Sequence, residues 1–263
     1  MQANRPGRPL TSEEMVSRLL YRDGLMLVID KPAGIAVHQG PPNGRDNSRE
    51  CLQDHFDALR FGLPRPPSLA HRLDRDTSGC LVLGRHHKAL AQLGKLFKNG
   101  TIDKAYWAVV EGSPEADEGT IELPLGRLDI TRGWWMKHDP NGQPSATKWK
   151  VMGRSPPTGG AASPLTWLSL EPLTGRTHQL RVHCTEMGWP IVGDATYGSA
   201  PRTGGPIMHL HAREIVVPLY KNRDPIRVVA PVPEHMRERL TLCGWEDKSE
   251  CSPDTLQREA EQR

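Results

Sequence analysis

Apolar positions recur along the chain in two rhythms. Leu25-Met26-Leu27-Val28-Ile29 and Cys80-Leu81-Val82-Leu83 are short continuous runs, which read as buried strands. Residues 104–111 alternate instead, with Tyr106, Ala108 and Val110 on one face and Ala105, Trp107 and Val109 on the other. Further short strands are expected at 35–38, 119–123, 134–138, 146–152, 164–170, 207–218 and 225–230.

The helical rhythm is clearest over 87–98. There Leu90, Leu93 and Phe97 share one face, Lys88, Gln92 and Lys95 the other, and Asn99-Gly100 supplies the stop. Thr11-Ser12-Glu13-Glu14 is a capping box opening a short helix, with Met15, Leu19 and Leu20 at helical spacing. A helix with Leu52, Phe56 and Leu59 on one face could be capped by Ser48. The spacing predicts another helix over 177–187, with Leu180, Cys184 and Met187 buried and His178, Arg181 and Thr185 projecting elsewhere. A last one is expected over 234–242. Turn formers crowd 39–47 and 155–163.

Strands outnumber helices without regular alternation, so the fold class is α+β, with a central mixed, mostly antiparallel sheet flanked by helices and loops. The expected organisation is a tail and short helix over 1–19, one domain over 20–245 and a polar tail over 246–263. The 263 residues show no internal repeat.

Composition narrows the function classes. No apolar run approaches the roughly 18 residues of a membrane span, and the first ten residues lack a signal peptide's apolar segment. Five cysteines, odd in number and never paired as Cys-x-x-Cys, argue against a disulfide framework or a cysteine zinc site. A cytoplasmic protein without membrane partners, and a monomer, is expected. The net charge of +3, 34 basic against 31 acidic residues, permits a polyanionic partner without requiring one. No GxxxxGK[ST] or GxGxxG loop lies at a strand–helix junction, so no nucleotide cofactor is expected.

The candidate chemistry gathers in a few stretches. His71-Arg72-Leu73-Asp74-Arg75-Asp76-Thr77-Ser78-Gly79 packs two carboxylates, two guanidiniums, an imidazole and two hydroxyls against a buried strand. Taken alone, Asp74 is a nucleophile, a general base or half of an ion pair. Gly175-Arg176-Thr177-His178-Gln179-Leu180-Arg181 sits at a helix N-terminus, where free N–H groups and the charge of Arg176 favour an anion. Arg181 is then either a surface arginine or the partner of a phosphate or carboxylate. Tyr106 is a structural hydroxyl or part of a site. A rival reading uses histidines: His209-x-His211 puts two rings on one strand face. His178 and His183, however, stand roughly 140° apart around a helix and do not converge on zinc.

In their order along the chain, four stretches resemble the RluA-type pseudouridine synthase family. They are Asp30-Lys31-Pro32-Ala33-Gly34 with Val37-His38, then His71 to Gly79, then Lys104-Ala105-Tyr106-Trp107-Ala108 with Gly112, then Gly175 to His183. A weaker fifth is Pro190-Ile191-Val192-Gly193-Asp194 with Leu210-His211-Ala212. The resemblance implies an enzyme that isomerises chosen uridines in ribosomal RNA, transfer RNA or both, with neither metal nor organic cofactor. It implies Asp74 as the catalytic aspartate, Arg181 as its ion-pair partner and Tyr106 as the wall of the uracil site. Arg72 would fill the gap left by a flipped base. Arg176, His71, Lys88 and Lys95 are further candidates for RNA contact. Many relatives carry an RNA-binding module ahead of the catalytic domain, whereas here about twenty residues precede the first strand. A non-catalytic RNA-binding protein on the same fold and a His-based metal hydrolase are the competing readings.

Overall fold

The structure is a computed structural model that describes residues 10–39, 50–129, 135–156 and 163–247. Expectations for the turns within 40–47, Ser48, Trp134, the loop at 157–162 and both outer tails lie outside the described residues. The chain opens with helix α1 (Ser12–Ser17), strands β1 (Leu19–Arg22) and β2 (Met26–Lys31), and a 3-10 helix, Leu52–Leu59. Strands β3 (Ser68–Leu69) and β4 (Ser78–Gly84) precede helix α2 (His87–Lys98) and β5 (Asp103–Glu111). Next come β6 (Glu118–Glu122), β7 (Leu125–Arg127), β8 (Met136–His138), β9 (Ala146–Arg154) and β10 (Leu165–Pro172). Helix α3 (Gln179–Glu186), β11 (Leu210–Val217), β12 (Ile226–Val229) and α4 (Glu234–Leu242) complete the order.

Ten strands form one sheet, ordered β1-β2-β4-β11-β5-β10-β9-β6, with β3 beside β4 and β12 beside β11. Its pairings are antiparallel except β4 with β11, where Ser78 and Gly79 run alongside His211 and Ala212. The architecture is therefore α+β with a mixed, mostly antiparallel sheet. Strands β7 and β8 make a separate ribbon.

Burial follows the sequence pattern. Every residue of β4 is buried, as its continuous apolar run requires. One apolar cluster joins β2, β4 and β11 to Met15 of α1, to Leu52, Phe56 and Leu59, and to Leu93 of α2. A second lies between Ala108, Val110, Leu168 and Leu170 on the sheet and Leu180 and Cys184 of α3. Tyr106 packs against both, so it stands where the two cores meet at the middle of the sheet. Among the described residues no helix is long and apolar enough to cross a membrane.

Several elements differ from the sequence reading. Residues 35–38 form no strand, because the carbonyls of Ala36 and Val37 accept the amides of Leu52 and Gln53 at 2.8 and 3.2 Å. They receive the first amides of the next helix, and Ala36 makes an isolated parallel bridge to Cys51 rather than a ladder. That helix is 3-10 rather than α, with the expected three residues buried. The capping box of α1 forms as expected, Thr11 Oγ1 accepting from the Glu14 amide at 3.1 Å, but Leu19 and Leu20 belong to β1. The expected 177–187 helix is shorter, and Met187 is exposed. Its start is delayed because the Gln179 side chain folds back, its Oε1 accepting from the Arg176 amide at 3.0 Å and from Thr174 Oγ1 at 2.7 Å.

Candidate active site

Asp74 lies in the loop between β3 and β4, and that loop is tied from beneath. Lys31, at the end of β2, is fully buried, and its Nζ donates to the carbonyls of Pro32, Arg75 and Thr77, each at 2.8 Å. Three acceptors use all three N–H bonds of an ammonium. Burial pulls the Lys31 pKa down to about 7, against the upward pull of Asp76, Asp74 and Asp30. The carbonyl cradle favours its charged form. The Gly34 amide donates to the Arg75 carbonyl at 2.9 Å, and Arg75 Nε returns a bond to the Gly34 carbonyl at 3.2 Å. At the loop's exit Gly79 has φ of +105°, and a Cβ there would run into the Ala212 carbonyl of β11. The close parallel approach of β4 and β11 therefore requires glycine.

Above this platform the Asp74 side chain is 19% exposed, open enough to be reached. Arg181 Nη1 lies 3.6 Å from Asp74 Oδ2, so the two are brought together as expected. The stronger partner of Arg181 is Asp194, engaged by a fork: Nε to Oδ2 at 2.7 Å and Nη2 to Oδ1 at 2.8 Å. Asp194 also accepts the amides of Thr196 and Tyr197 at 2.9 and 3.0 Å. Burial alone would raise the Asp194 pKa, but the Arg181 bonds and charge and the two amides hold it below the usual carboxylate range. Burial likewise works against the Arg181 charge, and Asp194 and Asp74 more than restore it. The arginine expected to project from its helix is thus turned inward, to 6% exposure, because two carboxylates wait there.

Tyr106 stands on β5 within reach of the Asp74 charge, its phenol pushed well up by burial, by that charge and by Cys80. Arg72 is exposed, two residues before Asp74, and its charge weighs on both His38 and His178. His178, in the left-handed conformation with φ of 53°, sets its Nε2 3.8 Å from Asp74 Oδ2.

Other candidates go elsewhere. His71 does not face outward: its Nε2 accepts the Val82 amide at 3.0 Å and its ring stacks on Phe97 at 4.5 Å. Burial brings its pKa down to about 3, so it is a neutral prop under the loop rather than a phosphate contact. Arg176 is exposed but tethered, its Nε donating to the Pro144 carbonyl at 3.1 Å. Lys88 and Lys95 stand exposed on α2. The histidines of the metal reading disperse. His183 binds Thr147 and Ser145 at 2.9 and 3.0 Å, His211 binds Ser78 at 2.9 Å, and His209 binds the Ile207 carbonyl at 2.7 Å. Among the described residues no three histidine, cysteine, aspartate or glutamate groups converge on a metal position.

Sequence reasoning missed Lys31, Asp194, His178 and Tyr197 as members of this cluster. Lys31, His178 and Asp194 did lie inside the matched stretches, and His178 was weighed there only as a metal ligand. For Lys31 and Asp194 the signal was a charged residue at the end of, or just after, an apolar run.

Residues 25–186 match the family model described as RNA pseudouridylate synthase. The chain is 39% identical over 222 residues to an uncharacterised RNA pseudouridine synthase of Zymomonas mobilis, covering 84% of this chain and 95% of the relative. It is 31% identical over 256 residues to the ribosomal large subunit pseudouridine synthase C of Vibrio cholerae, covering 92% of this chain and 75% of that one. Among solved structures, human RNA pseudouridylate synthase domain containing 1 superposes with a TM-score of 0.68 at 30% identity, covering 86% of each chain.

Proposed function

The chain belongs to the RNA pseudouridylate synthase family, and on that premise we propose that Asp74 is the residue through which it isomerises uridine in RNA. The observation that carries this is the placement of Asp74: reachable, 3.6 Å from a buried arginine, beside Tyr106 at the centre of the sheet. The enzyme is an RNA pseudouridine synthase, so uracil leaves its N1 link to the ribose, turns, and rejoins through C5. The target nucleotide is flipped out of its stack, at a cost of a few kcal/mol. Arg72 takes the vacated space and Tyr106 forms the wall on which the uracil packs.

Asp74 attacks either the sugar C1′ or the ring C6, making one C–O bond as the glycosidic or ring electrons shift. On the C1′ route the carboxylate is displaced as C5 bonds to C1′; on the C6 route it leaves C6 after that bond has formed. In both, C5 gives up its proton to solvent and N1 gains one, so the atoms of the nucleotide are conserved. A carboxylate suits both halves, since it adds and leaves readily within one site. Arg181 aims it and balances its charge, while Asp194 fixes Arg181. Because burial and Asp74 keep the Tyr106 phenol protonated near neutral pH, its part in the resting site is to shape rather than to take a proton. The overall change is redox-neutral and is carried by these side chains. Arg176, Lys88 and Lys95 are the phosphate contacts for the RNA, in the cytoplasm and with the protein as a monomer. Ribosomal RNA of the large subunit is the leading target class, following the Vibrio relative, with transfer RNA the other.

Pseudouridine mapped across all RNA from cells lacking and restored for this protein tests the reading. At least one uridine should lose its modification and regain it with the wild-type chain. A map unchanged by the loss would contradict it.

A further inference from the structure

Two donors, not one, converge on Asp74, and both are set by a single turn. Asp194 grips Arg181, and three residues later Tyr197 grips His178, its hydroxyl 2.8 Å from His178 Nδ1. The same hydroxyl accepts the Met136 amide of β8 at 2.8 Å. Tyr197 has one proton to give. Donated to Nδ1, it satisfies both groups. Were Nδ1 the donor instead, the hydroxyl hydrogen would need another acceptor, and the group beside the Tyr197 ring is the Arg181 guanidinium, 5.0 Å from its centroid. With Tyr197 as the donor, the neutral imidazole would carry its proton on Nε2, the nitrogen 3.8 Å from Asp74 Oδ2. Arg181 Nη1 approaches that same oxygen. At 3.8 Å the His178 contact is longer than a hydrogen bond, and such contacts tighten when substrate closes the site.

We infer that His178 and Tyr197 are positioning residues for Asp74: Tyr197 fixes the imidazole so that Nε2–H and Arg181 together hold Oδ2, and the other carboxylate oxygen is presented to the nucleotide. This rests on the assignment of Asp74 as the reacting group. The left-handed backbone at His178 serves the same end. An αR residue there would join the helix and carry its ring away from the cleft, and histidine is among the side chains that tolerate the conformation. The charged groups that reach the ring are Asp74, Arg181, Asp194 and Arg72. Burial keeps it below the ordinary imidazole range, with Asp74 pulling the other way.

The test compares wild type with His178→Ala, His178→Gln, Tyr197→Phe and the His178→Ala/Tyr197→Phe pair, all as full chains. Tritium release is followed from RNA of cells lacking the protein, labelled with [5-3H]uridine. His178→Ala should lower kcat by about 100-fold, the scale of a misplaced reacting group, with KM for the RNA unchanged. Glutamine, which offers an amide N–H near the place of Nε2 and meets the same backbone strain as alanine, should restore part of the loss. The double variant should be no worse than His178→Ala. Wild-type kcat in His178→Ala, a change in KM alone, or glutamine no better than alanine would overturn the inference.

A second readout needs no activity. Nitrogen NMR of the imidazoles should find His178 protonated on Nε2 in the wild type, shifted towards Nδ1 in Tyr197→Phe, and titrating at lower pH in Asp74→Asn. A wild-type ring protonated on Nδ1 overturns the relay. Should wild type release no tritium from any RNA, the assignment of Asp74 chemistry fails and this readout alone decides on the relay.

Discussion

Removing the Asp194 carboxylate leaves the buried Arg181 guanidinium with the longer contact to Asp74 and the face of the Tyr197 ring. Stripping one partner from a buried ion pair costs about 3–5 kcal/mol, most of it the desolvation of the charge left behind. Asp194→Ala should therefore lower the free energy of urea unfolding by about that amount, and Arg181 should swing towards Asp74 in its structure. An unfolding curve superposable on wild type would show that Arg181 has another anchor. At this scale the sequence reading reached Asp74, Tyr106 and Arg181, because a carboxylate–arginine cluster, a strand tyrosine and a helix arginine each lay in a matched stretch. It paired Arg181 with Asp74 alone, since a partner thirteen residues away through a turn leaves no spacing signal. His71 shows the converse: its polar neighbours suggested a binding surface, yet its ring turns back to accept the Val82 amide and stack on Phe97.

At the scale of elements, the loop carrying Asp74 depends on two residues with little chemistry of their own. Gly79→Ala combines a φ of +105° with a clash against the Ala212 backbone, which cannot yield without breaking the β4–β11 pairing. The variant should be insoluble or inactive, as a solubility assay and tritium release would report; wild-type activity would mean that the two strands can part. On α2, Lys88 and Lys95 are exposed and their helix packs on β4 through the opposite face. If they meet phosphates, each alanine substitution should reduce the salt dependence of RNA binding by about one counterion. Titrations at several salt concentrations would measure this, and an unchanged slope would remove that residue from the interface. Elements with a continuous apolar run or a sharp period, α2, β2, β4 and β5, were legible almost to their ends, as was α4. Those shaped by long-range hydrogen bonds were not. The carbonyls of Ala36 and Val37 serve a helix start rather than a ladder, and α3 begins late because Gln179 caps its own approach.

For the molecule as a whole, buried neutral histidines set the acid limit. Burial is the leading cause in each, taking His71 and His211 down to about 3 and His209 down to about 4, from an ordinary 6.5. Each folded pKa lies below its unfolded one. Their contribution to stability is therefore complete above about pH 6.5 and drains away as pH falls towards 3–4. Asp30, pushed up to about 6 by burial, works in the opposite sense, but one carboxylate stands against three imidazoles. The urea midpoint should start to fall near pH 6.5, well before carboxylates protonate; a flat midpoint down to about pH 5 would mean that these rings are solvated. The α+β class and mixed sheet were legible from the count and order of strands. The inward turn of Arg181 was not, because it depends on where α3 docks against the 194–197 turn. The central claim is that Asp74 performs the isomerisation on this scaffold. Tritium release from [5-3H]uridine-labelled RNA by purified wild type and Asp74→Asn tests it most directly. Release by wild type, with none by a variant that unfolds at the same urea concentration, is the predicted result. Full turnover by Asp74→Asn would contradict it.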